Sequence, residues 1–396
     1  MARGRGAQSQ AARRDDRGGE EESREEAGHR TRARGQAGHR AGWCGPGRQF
    51  AAHGPLSLAQ AATSGSAGRG PAGDGAWLAA AITLSERAHG RTAPNPNVGC
   101  ILLDAQGHVA GRGWTQPGGR PHAEAVALAQ AGEQARGGTA YVSLEPCAHA
   151  SPRGPCCTDL LIAAGVARVV IAATDPDPRT NGAGIARLKA AGIEVVSGLL
   201  AREAKAAMAG FFTRQRLGRP FVTLKLALSL DGCIAMADGT SQWITGPAAR
   251  VHAHVERARH ELILAGRHTV EADAPRLDVR LPGLEDRSPQ RVMLSGTAPP
   301  PDGWRGLSHP DDVKALTGGD HLLIEGGARA AASFLRDDLV DRLLLYRAPI
   351  LIGGGRPGLA DIGLTDLASA HGRWRLADTR DFAPDRLEVY ERVRAD

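Results

Sequence analysis

The sequence predicts an α/β protein made of two successive units. Three observations carry that expectation. Short runs rich in Val, Ile and Leu alternate with segments of helical apolar spacing, the pattern of strands joined by helices in a largely parallel sheet. The alternation pauses at Gly218 and Pro220 and restarts at Phe221. The chain has 396 residues, 42% of them hydrophobic, which suits about two domains of roughly 100–200 residues, each with a core of its own. Aromatic residues make up only 4%, so aliphatic side chains must fill those cores.

In the first unit, Trp77, Leu78, Ala81, Ile82 and Leu84 recur at helical spacing and the run stops at Gly90, which predicts a helix. Val98 to Leu103 is a continuous apolar run and predicts a strand. A Gly/Pro-rich turn leads to a helix over Ala123 to Ala131, a strand over Thr139 to Leu144, a helix over Thr158 to Ala164 and a strand over Arg168 to Ala173. Ile185 to Ala191 and Ile193 to Val196 add another helix and strand, and one long helix, Ala201 to Leu217, closes the unit. The second unit is expected to begin with strand Phe221 to Ala227 and helix Pro247 to Arg259. Strand Leu262 to Ala265 follows, then a loop through Asp273 and Pro275, and strands Arg291 to Leu294 and Leu322 to Ile324. Helix Ala328 to Leu335 and strands Arg342 to Arg347 and Arg386 to Glu391 complete it. The domain limits predicted from this pattern are 73–218 and 219–396.

Residues 1–72 differ in kind. They are rich in Gly, Arg, Gln, Ser and Glu without apolar periodicity, the composition of a disordered tail. The Glu20 to Glu26 cluster argues against a transit peptide, which is poor in acids. The formal charge of +6 invites a nucleic-acid reading, but residues 1–70 hold 12 basic and 7 acidic side chains, leaving 37 against 36 in the rest. The body is nearly neutral, and no nucleic-acid partner is expected of it. No apolar run has the length of a membrane helix, so the expectation is a soluble, cytoplasmic protein without a membrane partner. The six cysteines are too few for a disulfide scaffold in a chain this long and point instead to metal or catalytic use.

Chemistry concentrates in the first unit. Pro121-His122-Ala123-Glu124 opens a helix, Glu145-Pro146-Cys147 ends the next strand, and Cys156 lies nine residues on, at another helix start. One imidazole and two thiolates suit a zinc ion with its fourth tetrahedral position left for water, the arrangement of a catalytic site. Glu124 follows the histidine by two residues, and both can face one pocket only at the first helical turn. There its carboxylate is placed for general acid/base work, not ligation. A single buried Cys or His usually signals core packing; the combination in this order does not. Cys157 and His149 are spare candidates. His-x-Glu with Pro-Cys is identified with zinc nucleobase deaminases, whose general form is Cys-x-x-Cys; here eight residues separate the two cysteines.

That longer spacing occurs with Thr92-Ala-Pro-Asn-Pro-Asn-Val-Gly-Cys100, Leu144-Glu-Pro-Cys147, Asp175-Pro-Asp-Pro178 and Leu224-Lys-Leu-Ala-Leu-Ser-Leu-Asp-Gly232. Together these resemble the bifunctional riboflavin-biosynthesis deaminase/reductase family over roughly residues 75–394. The resemblance implies a cytidine-deaminase-like three-layer α/β/α domain followed by a dihydrofolate-reductase-like α/β domain. The first would hydrolyse the 2-amino group of a ribosylaminopyrimidinone 5′-phosphate, with Zn2+ on His122, Cys147 and Cys156, Glu124 as proton shuttle and Asn95 on the pyrimidine. The second would use NADPH to convert the ribosyl group to a ribityl chain. Ala227, Trp243, Thr269 and Asp273 would line the cofactor site. The stretch Gly327, Ala328, Arg329, Ala330, Ala331, Ala332 and Ser333 would receive its phosphate at a helix start. Ser241, Arg257, Leu277, Arg280 and Glu325 would contact substrate, the two arginines being suited to its phosphate, and Lys225 would steady the opened sugar. A homo-oligomer is also implied.

The chain departs from the family pattern at several points. Arg153 stands one position from the usual basic residue of the inter-cysteine loop, and Asp177 replaces an Asn. Ala274 replaces the second carboxylate of the usual Ala-Asp-Asp-Pro, Ser295 stands where an Asp is common, and the interval from Ser295 to Glu325 is short by about one strand-and-helix unit. Two alternatives therefore stay open on sequence: a deaminase with a decayed or structural reductase domain, and a nucleic-acid-acting zinc deaminase with a basic tail.

Overall fold

The computed structural model describes residues 71–394; the expected tail falls almost wholly outside them. The described residues belong to one compact unit, and they form two separate main sheets.

The first half contains α1 (Pro71–Ser85), β1 (Gly99–Leu103), β2 (Val109–Trp114), α2 (Ala123–Ala131), β3 (Thr139–Leu144), α3 (Cys157–Ala163), β4 (Arg168–Ala173), α4 (Ala183–Ala190), β5 (Glu194–Ser197), α5 (Ala201–Ala207) and α6 (Ala209–Leu217). The sheet order is β2-β1-β3-β4-β5. The first three strands are antiparallel neighbours and the last three parallel. Every residue of β1 is buried, as are nearly all of β3 and β4, which is why these strands read as unbroken apolar runs. Helices α1 and α5 touch each other on one side, and α2, α3 and α4 follow one another on the other, completing three layers. Two glycines set how closely α2 lies on the sheet. A Cβ on Gly111 would meet Ala127 O at 2.1 Å and one on Gly113 would meet Ala123 O at 2.1 Å. This contact fixes the helix start that bears His122 and Glu124.

The second half contains β6 (Phe221–Leu228), β7 (Cys233–Ala235), α7 (Pro247–Ala258), β8 (Leu262–Gly266), α8 (Arg267–Asp273), β9 (Gln290–Leu294), β10 (Arg305–Leu307), β11 (His321–Ile324), α9 (Ala328–Arg336), β12 (Arg342–Arg347), β13 (Arg356–Pro357), β14 (Trp374–Phe382) and β15 (Asp385–Arg392). Its sheet runs β10-β9-β8-β11-β6-β12-β15-β14, with β7 and β13 forming a small separate ladder. The strands from β10 to β12 are parallel and the last two antiparallel. β11 returns from the sheet edge to lie between β8 and β6, and the carboxyl ends of these three strands open on a common crevice, the usual ligand position in such sheets.

Several expectations are corrected. The helix over 201–217 is two helices broken at Met208, whose side chain is fully buried and whose backbone (φ −111, ψ 27) leaves the helical region. The first part of the loop through Asp273 and Pro275 is helix α8. The shortened interval after Ser295 is not bare: β10 extends the sheet and a 3₁₀ turn over Pro310–Ala315 follows it. Strand β14 escaped detection because both its faces are largely exposed, so no alternating pattern marks it.

Candidate active sites

His122 is the N-cap of α2 and Glu124 lies in its first turn, so the two side chains can share one cavity despite their spacing. That cavity, about 300 Å³, is lined by both, and by Asn95, Cys147 and Asp175. His122, Cys147 and Cys157 place one ligand atom each within 4.8 Å of one another. His122 Nδ1 lies 3.3 Å from the Cys157 sulfur and 3.7 Å from that of Cys147. Asn95 Nδ2 is 3.0 Å from the other imidazole nitrogen and donates to Gly119 O at 2.7 Å. Asn95 therefore both lines the cavity and touches the ring.

The third member of the cluster differs from the one expected from sequence. Cys156, expected as a ligand, is the N-cap of α3, and its thiol turns away to donate to Cys147 O at 2.9 Å, with Arg187 Nη1 at 3.5 Å from the sulfur. Cys157, one residue on, brings its sulfur to His122 instead, while its backbone N–H donates to the Cys147 sulfur at 3.3 Å. Adjacent residues at a helix head point in directions about 100° apart, so only one of the pair can face the cluster. The Cys157 thiol and the His122 ring hold Cys147 well below the ordinary thiol range, whereas Cys157 is pushed up by its bond to Cys147 and by burial. Burial also raises the Glu124 carboxyl, against the opposing pull of His122. A set of one half-buried imidazole and two buried sulfurs fits zinc.

The second cavity, about 660 Å³, opens at the carboxyl ends of β6, β8 and β11. Lys225, Ala227, Ser241, Trp243, Arg257, Thr269, Asp273, Leu277, Arg280, Glu325 and Gly327 all line it. Gly326 and Gly327 leave room there: a Cβ on Gly327 would stand 3.3 Å from the Thr269 hydroxyl, and one on Gly326 3.3 Å from Gly266 N. Close backbone approach beside a helix start, in a cavity of this volume, fits a dinucleotide. Only the head of the expected phosphate stretch reaches the cavity. Ala330, Ala331 and Ala332 are buried and Ser333 donates its hydroxyl to Ala330 O at 2.9 Å; Ala328 and Arg329 open α9 beyond the lining.

Arg257 carries a pairing that the sequence did not announce. It lines the cavity, but its guanidinium is already engaged by Glu325 and by Asp278 O, which leaves one N–H on each terminal nitrogen for a substrate phosphate. Sequence reasoning also missed Arg250, which lies 4.7 Å from the Trp243 ring centroid in this cavity. Its place in the first turn of α7, a few residues after that tryptophan, was the available signal.

Fold and sites define a two-domain enzyme class: a zinc-type deaminase domain joined to a reductase domain with a dinucleotide crevice. Residues 72–173 match the family model "Cytidine and deoxycytidylate deaminase zinc-binding region", and residues 220–305 and 310–387 match "RibD C-terminal domain". The riboflavin biosynthesis protein RibD of Escherichia coli is 38% identical over 78% of this chain and 96% of its own length. The protein of the same name from Mycobacterium tuberculosis is 39% identical over 78% and 94%. The solved structure of Acinetobacter baumannii RibD superposes with a TM-score of 0.72 at 35% identity, covering 82% of this chain and 100% of that one. The chain belongs to the bifunctional riboflavin-biosynthesis deaminase/reductase family. It is an enzyme of riboflavin biosynthesis with deaminase and reductase activities, and its cofactors are zinc and NADPH. Among the described residues, no helix is long and apolar enough to cross a membrane.

Proposed function

We propose that residues 73–218 deaminate a ribosylaminopyrimidinone 5′-phosphate and that residues 219–396 then reduce its ribosyl group to a ribityl chain. A Thermotoga maritima relative of known structure, 30% identical with a TM-score of 0.72, carries the name diaminohydroxyphosphoribosylaminopyrimidine deaminase/5-amino-6-(5-phosphoribosylamino)uracil reductase. The observation that carries the reading is the meeting of Glu124, in one cavity, with His122 and Cys147, two members of the cluster that Cys157 completes.

His122, Cys147 and one thiolate of the Cys156–Cys157 pair would hold zinc, which supplies Lewis acidity that readies a water for attack. Glu124 takes the proton of the attacking water as oxygen bonds to the pyrimidine carbon, and returns it to the amino nitrogen, which leaves as ammonia. Its burial, which favours the protonated carboxyl, suits the second half of that exchange. Asn95 keeps the imidazole in place and offers an amide to the ring.

In the second cavity NADPH would supply hydride. Trp243, Thr269 and the backbone at Gly327 would hold the dinucleotide. Once the sugar ring opens to leave a C1′=N bond, hydride adds at C1′ and a proton at nitrogen. Lys225, 3.6 Å from Glu325, would steady the hydroxyls of the opened sugar, and Ser241, Leu277 and Arg280 would contact the rest. Phosphorylated substrate and NADPH fit a cytoplasmic location, the near-neutral body gives nucleic acid no evident seat, and the family resemblance supports a homo-oligomer. The test is to supply the diaminopyrimidinone ribotide with and without NADPH and weigh the products. Deamination alone without NADPH, and a further gain of two hydrogens with it, is the expected result; NADPH left unconsumed with the deaminated intermediate would reduce the second domain to a structural module.

A further inference from the structure

The deaminase cavity holds three arginines beyond the groups that proton transfer uses, set among the acids Glu145, Asp175 and Asp177. Arg120, Arg153 and Arg179 line it together with His149. Arg120 and Arg179 are prepared for a ligand in a way an ordinary solvated arginine is not. The Nε of Arg120 is buried without a hydrogen-bond partner among the described residues, while its Nη1 donates to Pro155 O at 3.0 Å. A buried cationic donor left unpaired is costly, and an anion in the cavity would relieve it.

Arg179 is held from below by Asp177. Its Nε lies 3.0 and 3.1 Å from the two carboxylate oxygens, and its backbone N–H donates to the same carboxylate at 2.9 Å. Asp177 is only 8% exposed and, among the described residues, forms no other salt bridge, whereas the Arg179 side chain is 66% exposed. The pair thus presents a fixed guanidinium at the surface of the cavity, with Nη1 uncommitted among the described residues. A planar fork pre-set by a carboxylate loses less freedom when it binds a second anion. The neighbouring Glu145 has its carboxylate turned onto the backbone N–H groups of Asp175, Gly182 and Ile185, which orient it away from Arg179 without removing its charge. Arg153, the basic residue the sequence singles out, is exposed and donates to Gly118 O.

We propose that Arg179, positioned by Asp177, forms with Arg120 the anion subsite of this cavity and reads the phosphate of the deaminase substrate. The inference rests on the assignment of the cavity as the deaminase site. The test compares kcat/KM for deamination of the phosphorylated pyrimidinone and of its dephosphorylated riboside, using the full-length, zinc-loaded protein. R179Q is expected to cut the preference for the phosphorylated substrate about 10- to 100-fold, the worth of a charge-assisted hydrogen bond, with the loss in KM and not in kcat. R179K restores part of it, having the charge without the fork. D177N lowers the same ratio by a smaller factor, and inorganic phosphate inhibits R179Q less well than the parent enzyme. An unchanged ratio in R179Q, or equal losses on both substrates, overturns the proposal. E124Q separates this from the site reading. Normal deamination by E124Q sinks the assignment of the cavity, whereas an inactive E124Q beside an unchanged R179Q ratio sinks the phosphate subsite alone.

Discussion

Arg257 and Glu325 form a two-pronged pair on the wall of the reductase cavity, Nε to Oε1 at 2.7 Å and Nη2 to Oε2 at 2.9 Å. Lys225 Nζ approaches the same carboxylate at 3.6 Å. Burial opposes ionisation of Glu325, but Lys225 and Arg257 overcome it and hold the carboxyl down to about 2. Glu325→Gln would leave two cations facing each other with their shared anion gone. It should cost about 3–5 kcal/mol, read by urea denaturation, and abolish NADPH oxidation while deamination persists below the new Tm. Because the native pKa is depressed, the stabilisation from Glu325 is full above the ordinary carboxyl range and drains away as pH falls toward about 2.

Glu124 is the proton carrier of the first site. Glu124→Gln should lower kcat for deamination by roughly 10²- to 10⁴-fold, with zinc content and NADPH-dependent reduction of supplied intermediate retained. Turnover near the parent rate with zinc in place would defeat the mechanism.

The cysteine pair at the head of α3 calls for paired variants. Cys147→Ser should empty the metal site, measured as zinc per chain after dialysis against a mild chelator. Of Cys156→Ser and Cys157→Ser, one alone should do the same. Loss in Cys157→Ser follows the sulfur positions seen here; loss in Cys156→Ser means that metal binding turns the helix head by one residue to the ligand the family motif implies. Full zinc in both removes the pair from the site.

Acid should open the junction between the two halves. The His89 ring lies 4.3 Å from that of His321, His260 packs 6.0 Å from His321, and Arg259 pairs with Glu86 across the same seam. Burial holds His89 well below its ordinary value and His260 down to about 4. Both are neutral in the folded protein, so the unfolded chain binds more protons below about pH 6.5, and stability falls from there toward pH 4, by about 1.4 kcal/mol per pH unit for each histidine. His89→Asn should flatten the fall in Tm between pH 6.5 and 4.5; an equally steep fall would assign the acid sensitivity elsewhere.

Ala274, in the place where the family carries a second Asp, ends α8 in the left-handed region (φ 40, ψ 52). A Cβ is disfavoured there by about 1–2 kcal/mol. Ala274→Gly should raise stability by ~0.5–1 kcal/mol after the entropy of the freer unfolded chain is subtracted, and Ala274→Val should lower it. A Tm order of Val above Gly would contradict the backbone argument.

The buried strands and the helices beside them were legible in the residues themselves. Ala123 to Ala131, Thr139 to Leu144 and Arg168 to Ala173 fall on α2, β3 and β4 as observed, because burial imposes apolar runs and helical periods that a single chain displays locally. The His-x-Glu pair was likewise legible, since a helix start alone decides whether both can face one cavity. What escaped was set by partners distant in the chain. Arg257 and Glu325 are 68 positions apart, and nothing local says that the guanidinium is paired with the carboxylate. Cys156 and Cys157 differ only in which side of a helix head faces the cavity, and packing of α3 decides that. Tertiary structure alone brought Arg120 and Arg179 to the rim of one cavity, because a charge shows its partner only when the chain has folded around it.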